Sequence, residues 1–384
     1  MSGLRVRDLR VAHPDGRVAI EEITLDVLPG QVVAVVGPSG SGKTTMLRAI
    51  AGLVAAGGTI EIDGRDVTHL ATRERNLAMV FEGGSLIPNR DVAENLHFGL
   101  RLHGVAAPER DEQVMSQARR LRLRHLLARK PGSLSAGESG RANIGRALVR
   151  RPSAWLLDEP LAHLDPVERF ELRHRLVEDV KTQGVPALYV THDPVEALAV
   201  GDRVAVLRNG RLDQVGTPRD LYDRPVNAFV ATFVTTQPVG LLPARVVASG
   251  FQVGDRTLPL WAGLPPELAG YVDRPVVLAL RAEDVADAAG VDDPDVARLR
   301  GIVVATEFTG PSVMAAVELD APPVTGPGVE SLVASANRAR LTARLPRDHA
   351  VQLASPLTLA VDAARAHVFD VETGEAIWHG LART

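Results

Sequence analysis

Residues 37–45 read GPSGSGKTT. Three glycines, a lysine and two threonines at this spacing fit G-x-x-x-x-G-K-[ST], the pattern of a loop that holds phosphate. The chemistry follows from the residue types. Gly37, Gly40 and Gly42 let the backbone curl until its N–H groups point inward at an anion. Lys43 reaches toward β- and γ-phosphates, and the hydroxyl of Thr44 is a ligand for Mg²⁺. A helix opening near Lys43 adds its positive dipole end. The candidate nucleotide-binding residues are therefore Gly37, Pro38, Ser39, Gly40, Ser41, Gly42, Lys43, Thr44 and Thr45, with ATP and Mg²⁺ as the expected ligands.

Two carboxylates extend this chemistry. SAWLLDEP (153–160) ends an apolar run in Asp158 and Glu159. An acidic pair after a strand is ordinarily a solvated loop start. With a phosphate loop upstream, Asp158 is placed to hold Mg²⁺ and Glu159 to orient and polarise an attacking water. His192 closes a third apolar run, VPALYVTH (185–192). A lone histidine is more often structural than catalytic, but this one shares the carboxyl edge with Gly37 and Asp158, where an imidazole can contact a γ-phosphate.

These side chains converge only if the right elements carry them. QVVAVVG (31–37), SAWLLDE (153–159), VPALYVTH and DRVAVLRNG (202–210) are Val-, Leu- and Ala-rich runs that read as strands buried on both faces. Helical spacing in TTMLRAIAG, RANIGRALVRR and VERFELRHRLVEDVKTQG alternates with them, which predicts a parallel α/β sheet. Ligands of such sheets sit beyond the carboxyl ends of the strands, where all of these residues fall. Residues 86–150 are mostly helical in pattern and read as an inserted helical subdomain. From about residue 235 short strand candidates divided by Gly, Pro and Asp turns predict a small all-β barrel or sandwich. The expected domains are 1–234 and 235–384.

Composition narrows the function. At 384 residues, two or three domains are expected. A formal net charge of -4 provides no field for nucleic acid or anionic lipid. The basic run ARRLRLRHLLARK (118–130) reads as the solvated face of a helix, with aromatics at 4% too sparse for a nucleic-acid surface. Without cysteine there are no disulfides, Cys-ligated zinc or iron–sulfur clusters. The N-terminus lacks a signal-peptide core, and no apolar run approaches the ~20 residues of a membrane span. A membrane role is expected to come through partners.

Residues 134–138, LSAGE, make a resemblance specific. They look like the LSGGQ signature of ABC-type ATPases, at its usual distance before the Mg²⁺ carboxylate. LAHLD (161–165) resembles the D-loop of that family, and THDPVEALAVGDRVAVLRNGRL its switch-histidine segment. The resemblance implies a P-loop NTPase (ABC-type) α/β core with an inserted helical subdomain. It also implies that the signature surface closes over ATP held by a second ATPase subunit, a homodimer arranged head to tail. Ser135 and Gly137 would touch the partner's γ-phosphate, and Asp165 would belong to the nucleotide site. RDLYDRPVNAFVATFV and the sequence beyond it resemble the C-terminal region of maltose-transporter-type subunits, implying a small OB-like domain. The implied setting is the cytoplasmic face of the inner membrane, as a peripheral subunit. Its partners would be two permease subunits and, indirectly, an extracytoplasmic solute-binding protein. The implied cargo is a sugar or polyol, with glycerol phosphate, polyamine or inorganic anion as alternatives. A soluble ABC protein of translation or DNA repair is disfavoured by the single phosphate loop and the absence of heptads.

Two positions depart from the family pattern. An aromatic usually stacks on adenine near residue 13; here only His13 can serve, a smaller platform, and stacking is worth about 0.5–1.5 kcal/mol. The family also carries a glutamine after the strand that precedes the helical insertion. Here MVFEGGS (79–85) places Glu82 in that slot. A carboxylate there is a candidate Mg²⁺ ligand and catalytic residue, and also an extra negative charge beside a triphosphate. That raises a degenerate, weakly hydrolysing subunit as the alternative reading.

Overall fold

The computed structural model describes residues 3–380 apart from 85, 163, 236, 294–295, 327, 330–331 and 333–336. The first strands are β1 (Leu4–Ala12) and β2 (Val18–Val27), whose alternating burial marks a half-covered antiparallel pair. Next come β3 (Val32–Val36), buried throughout, and α1 (Lys43–Ile50). Strands β4 (Gly57–Ile62) and β5 (Arg65–Asp66) complete a four-stranded antiparallel sheet of order β2-β1-β4-β5. The sequence reading did not take up this sheet, although LRVRDLRVA in β1 alternates apolar and charged residues as a half-buried strand does.

The second sheet takes in β6 (Leu77–Val80), β7 (Ala154–Asp158), β8 (Ala187–Thr191), β9 (Arg203–Arg208) and β10 (Arg211–Gly216). Its order is β10-β9-β3-β8-β7-β6, parallel except for the β9–β10 hairpin. The expected parallel sheet is thus present, with β7 and β8 fully buried. The apolar side of α1 packs with both sheets in one core: Met46, Leu47 and Ile50 join Ile20 and Ile23 on one side and Val35, Leu156 and Val190 on the other. Between β6 and β7 the chain runs through α2 (Val92–Leu102), α3 (Ala107–Arg120) and α4 (Ala136–Leu148), inside the segment read as a helical insertion. Helices α5 (Pro166–Gln183) and α6 (Pro194–Val200) connect β7, β8 and β9.

Chain contacts divide the molecule between Pro218 and Arg219, not between residues 234 and 235. The reason is the packing of two short helices, α7 (Pro218–Asp223) and α8 (Ala228–Phe233). Ala228 and Ala231 are buried with Val277, Ala279 and Phe369, and the Ala228 amide donates to Gly374 O at 2.8 Å. These helical residues carry no composition shift, so the change of texture lies downstream of the division.

The second unit is all β beyond those helices. Its strands are β11 (Gly240–Val247), β12 (Gly250–Val253), β13 (Arg256–Pro259), β14 (Pro275–Leu280), β15 (Val285–Asp287), β16 (Ala297–Phe308), β17 (Ser312–Leu319), β18 (Arg340–Pro346), β19 (Pro356–Val361), β20 (His367–Asp370) and β21 (Ala376–Trp378). They form sheets of order β13-β12-β11-β14-β20-β21 and β15-β19-β16-β17-β18. One core joins the inner faces, including Phe251, Leu278, Val317, Leu341 and Leu359. This is the small all-β domain expected from the spacing of turns, and it is consistent with the OB-like domain that the resemblance implied.

Candidate functional site

The phosphate loop leaves β3 at Gly37 and enters α1 at Lys43. Glycine is required at Gly42 twice over. Its φ of 106° is left-handed, and a Cβ there would lie 2.6 Å from Ile20 Cδ1 and 2.8 Å from Ala19 O. Gly42 is also the N-cap of α1, and no side chain caps the helix. The first-turn amides are therefore not occupied by a side-chain acceptor, which suits an anion. The other end of α1 is pinned. Arg75, 5% exposed, donates to Ala49 O and Ile50 O at the C-terminus of the helix, and to Thr68 O and Leu70 O. A cation at a helix C-terminus is the favourable polarity.

Lys43 is 8% exposed, and its Nζ donates to Gly37 O at 2.8 Å and Pro38 O at 2.9 Å. Burial pushes its pKa down, opposed by the charges of Glu159, Asp158 and Glu82. The Thr44 hydroxyl donates to Asp158 Oδ1 at 3.2 Å. Asp158, 2% exposed, has its pKa raised by burial; the Thr44 hydrogen bond opposes this, and the charges of Glu82 and Glu159 add to it. A buried lysine beside a buried carboxylate that accepts from a hydroxyl is a set of groups suited to a polyanion and a divalent cation. The oxygens of Thr44 and Asp158 are hard ligands of the type Mg²⁺ prefers when phosphates and water complete its shell. Among the described residues, no three acidic, histidine or cysteine side chains are grouped so as to enclose a metal unaided.

Glu159 continues past the end of β7, its amide donating to Val190 O at 3.0 Å. Its φ is 45°, a left-handed conformation that costs a non-glycine residue on the order of 1–3 kcal/mol. His192 Nδ1 stands 2.8 Å from Glu159 Oε2. An ionised carboxylate only accepts, so the imidazole donates through Nδ1. The His192 loop is itself braced. Glu196, 8% exposed, accepts from Tyr189 Oη at 2.9 Å and Thr191 Oγ1 at 2.6 Å, fixing the end of β8 to the start of α6.

Glu82 is exposed on a turn closed by the Gly84 amide donating to Phe81 O at 3.2 Å. The turn is held close to α4, since a Cβ on Gly84 would fall 2.2 Å from Asn143 Nδ2. Glu82, Ser39, Gly40, Gly42, Lys43, Thr44, Thr45 and Glu159 line one cavity of about 650 Å³, a volume typical of a small-molecule site. His13 lines it too. The sequence reading missed five further wall residues: Arg17, Val18, Ala19, Asn209 and Gly210. Asn209-Gly210 is a legible hairpin turn between β9 and β10. Its place beside the phosphate loop was not legible, because it rests on the Gly210 amide donating to Ser41 O at 3.0 Å and on the Glu21 amide donating to Gly210 O at 2.8 Å.

Three expected residues are elsewhere in the single chain. Ser135 is the N-cap of α4, in a reciprocal capping box with Glu138: Ser135 Oγ accepts from the Glu138 amide at 3.2 Å, and Glu138 Oε2 accepts from the Ser135 amide at 2.8 Å. Gly137 faces Glu168, whose Oε2 would lie 2.7 Å from an added Cβ. Asp165 caps α5, accepting from the Val167 and Glu168 amides. Of the LAHLD stretch, His163 is outside the described residues.

A glycine loop between a buried parallel strand and an uncapped helix, with a lysine, a threonine–aspartate pair and a strand-end glutamate, defines a P-loop ATPase. The match to known proteins refines the class. Residues 20–162 match the ABC transporter family. The chain is 37% identical to the sn-glycerol-3-phosphate import ATP-binding protein UgpC of Cereibacter sphaeroides, over 98% of this chain and 100% of that protein. It is 35% identical to the trehalose import ATP-binding protein SugC of Mycobacterium tuberculosis, over 94% and 95% of the two chains. It is 36% identical to the trehalose/maltose import ATP-binding protein MalK of Thermococcus litoralis, over 98% and 100%. A solved structure of an ATP binding subunit of an ABC transporter superposes with a TM-score of 0.53 at 28% identity, covering 57% of this chain and 92% of that one. The protein belongs to the ABC transporter family, as an ATP-binding subunit with ATPase activity.

Proposed function

We propose that this chain powers an importer of a small hydroxylated solute, a sugar, polyol or polyol phosphate, by hydrolysing ATP in a head-to-tail pair of copies. The observation that carries the reading is the convergence of Lys43, Thr44, Glu82 and Glu159 on one cavity, with Asp158 and His192 bonded to them. Lys43 and the loop amides bind the β- and γ-phosphates. Thr44 and Asp158 would hold Mg²⁺, with Glu82 as a further carboxylate at the same mouth, and that ion neutralises phosphate charge when bound. Glu159 orients a water toward the γ-phosphate, and His192 keeps the Glu159 carboxylate in place through Nδ1. Ser135, Gly137 and Asp165, away from the chain's own cavity, are the surface offered to the nucleotide of the second copy. Support for the cargo comes from the relatives, whose names specify glycerol phosphate, trehalose and maltose.

No helix among the described residues is long and apolar enough to cross a membrane. The chain acts as a peripheral subunit on the cytoplasmic face, against two permeases, with a solute-binding protein reached through them. Co-expressed with its permeases, the chain should hydrolyse ATP, and Lys43→Ala should abolish it; turnover surviving that change would overturn the assignment.

Glu82 favours a second reading, a subunit that binds ATP and scarcely turns it over. Its charge bears on both Lys43 and Asp158. Nucleotide binding without turnover in the assembled complex would decide for it.

A further inference from the structure

Helices α5 and α6 open on the same four residues, Asp-Pro-Val-Glu, at 165–168 and 193–196. In both, the aspartate is the N-cap and accepts from two amides of the first turn: Asp165 from Val167 and Glu168, Asp193 from Val195 and Glu196. A glutamate three residues past a cap commonly reaches back to the amide of the cap residue. Glu94 and Glu138 do this in α2 and α4. Glu168 and Glu196 send their carboxylates elsewhere. Glu196 accepts from Tyr189 Oη and Thr191 Oγ1 and so braces the His192 loop. Glu168 crosses to α4, where its Oε1 accepts from Arg141 Nη1.

The crossing is sheltered. The Arg141 side chain is 15% exposed and that of Glu168 37%, so water and salt screen this pair less than one on the open surface. The second carboxylate oxygen of Glu168 lies at Gly137, where an added Cβ would stand 2.7 Å from Oε2. Leu164, next to the Asp165 cap, runs along the same side of α4, its Cδ2 3.4 Å and 3.7 Å from the Cβ positions of Gly140 and Gly137. The starts of α4 and α5 therefore meet through one apolar and one ionic contact. The first start carries Ser135 and Gly137 and the second Asp165, the residues assigned above to the nucleotide of the second copy. In the chain these two starts are separated by the whole of β7. Neither Arg141 nor Glu168 lines the chain's own nucleotide cavity.

We infer that Arg141 and Glu168 are positioning residues for ATP hydrolysis. Their ion pair joins the Ser135–Gly137 surface and the Asp165 cap into one unit, so that both meet the nucleotide of the second copy in a fixed relation. The same local sequence is thus used twice: Glu196 steadies the loop of His192 within the chain, and Glu168 steadies the surface offered across to the partner. The inference rests on the paired-copy reading above and deepens it by adding two residues that touch no phosphate.

The test reads turnover of the full-length chain assembled with its permeases, beside ATP binding by the chain alone. Glu168→Gln and Arg141→Met should each lower kcat about five- to fiftyfold, the span of coupling within one ion pair. KM for ATP, and ATP binding by the chain alone, should stay within about twofold, which also reports that the variants fold. The combined variant should lose no more than about twice the larger single loss, since the two side chains act as one device. Losses that multiply in the combined variant, a kcat within twofold of wild type in Glu168→Gln, or ATP binding that weakens in step with kcat would overturn the inference and leave the paired-copy reading intact. A chain carrying Glu159→Gln that binds ATP yet stays unpaired would instead remove that reading, and the inference with it.

Discussion

Helices α1 and α4 each begin where the sequence marks a phosphate contact, and they begin differently. α1 starts at Gly42, in a left-handed conformation with no side-chain cap, and its lysine is folded back onto Gly37 O and Pro38 O. α4 starts at Ser135 with its end amides engaged by Ser135 Oγ and Glu138 Oε2. One N-terminus is an open seat for an anion. The other is already occupied by the chain's own carboxylate, whose pKa is lowered chiefly by the backbone hydrogen bond from Ser135. The open seat has no side-chain acceptor to displace from its amides, while the occupied one has to exchange a carboxylate for a phosphate. Under the function proposed above, that difference would suit α1 to hold ATP within one chain and α4 to join only when a second copy brings its nucleotide.

Four changes would break or sharpen this contrast. The largest effect is expected from Lys43→Ala, which removes the only buried cation of the open seat among the phosphate-loop residues. ATPase turnover of the assembled complex should fall by at least about 10²- to 10³-fold, the scale of one lost transition-state donor. A fall of less than tenfold would mean that α1 is not the seat. Next is Glu82→Gln. Two unit charges about 4 Å apart cost about 4 kcal/mol at an effective dielectric of 20, a ceiling near a thousandfold in rate. Glu82 is exposed, so solvent screening reduces this to roughly tenfold or less, and turnover should rise by that amount. Equal or lower turnover would show that the carboxylate is not a brake.

The third change tests the occupied seat. Glu138→Gln keeps a capping side chain and removes its charge, so ATP-driven pairing of two copies should tighten about two- to fivefold, read by sedimentation in a Glu159→Gln background that holds ATP unhydrolysed. Unchanged pairing would mean that the α4 N-terminus never meets phosphate. The smallest effect concerns stability without ligand. Burial raises the pKa of Asp158 above the ordinary 3.8. Below 3.8 the carboxyl is protonated in folded and unfolded chains alike and costs nothing; as pH climbs through the raised value, the buried charge destabilises the fold. Asp158→Asn should therefore raise Tm at pH 7, by about 2–4 °C for each kcal/mol recovered, and the gain should vanish near pH 4. A gain independent of pH would point to packing instead of charge.

Much of the site was legible because its signals are local. The glycines, Lys43 and Thr44 lie within nine residues, and the strand before them and the helix after them are written in adjacent apolar patterns. Asp158, Glu159 and His192 were legible because a strand end is visible in sequence and parallel strands share one carboxyl edge. Arg75 was not legible as the clamp on α1, since nothing near it in sequence reveals that its four acceptors come from Ala49, Ile50, Thr68 and Leu70. The antiparallel sheet of β1, β2, β4 and β5 was partly legible, since β1 alternates apolar and charged residues, but its pairing order joins segments far apart in the chain. The unit boundary at residue 218 escaped because α7 and α8 are committed by contacts far along the chain, Tyr222 with Arg281 and Glu283, and Ala228 and Ala231 with Val277, Ala279 and Phe369.

By itself, then, the sequence determined the phosphate chemistry, the alternation of buried strands and helices, and the all-β second unit, each set by spacing within a few residues. Only the tertiary structure decided that His13 and Arg17 face the cavity together and that Asn209-Gly210 abuts the phosphate loop. It alone showed that the start of α4 is closed by its own glutamate while that of α1 stays open. The physical reason is that backbone periodicity and turn chemistry act between neighbours. A binding wall depends instead on which distant backbones approach closely enough to exclude a Cβ, as Gly42 and Gly210 do against Ala19.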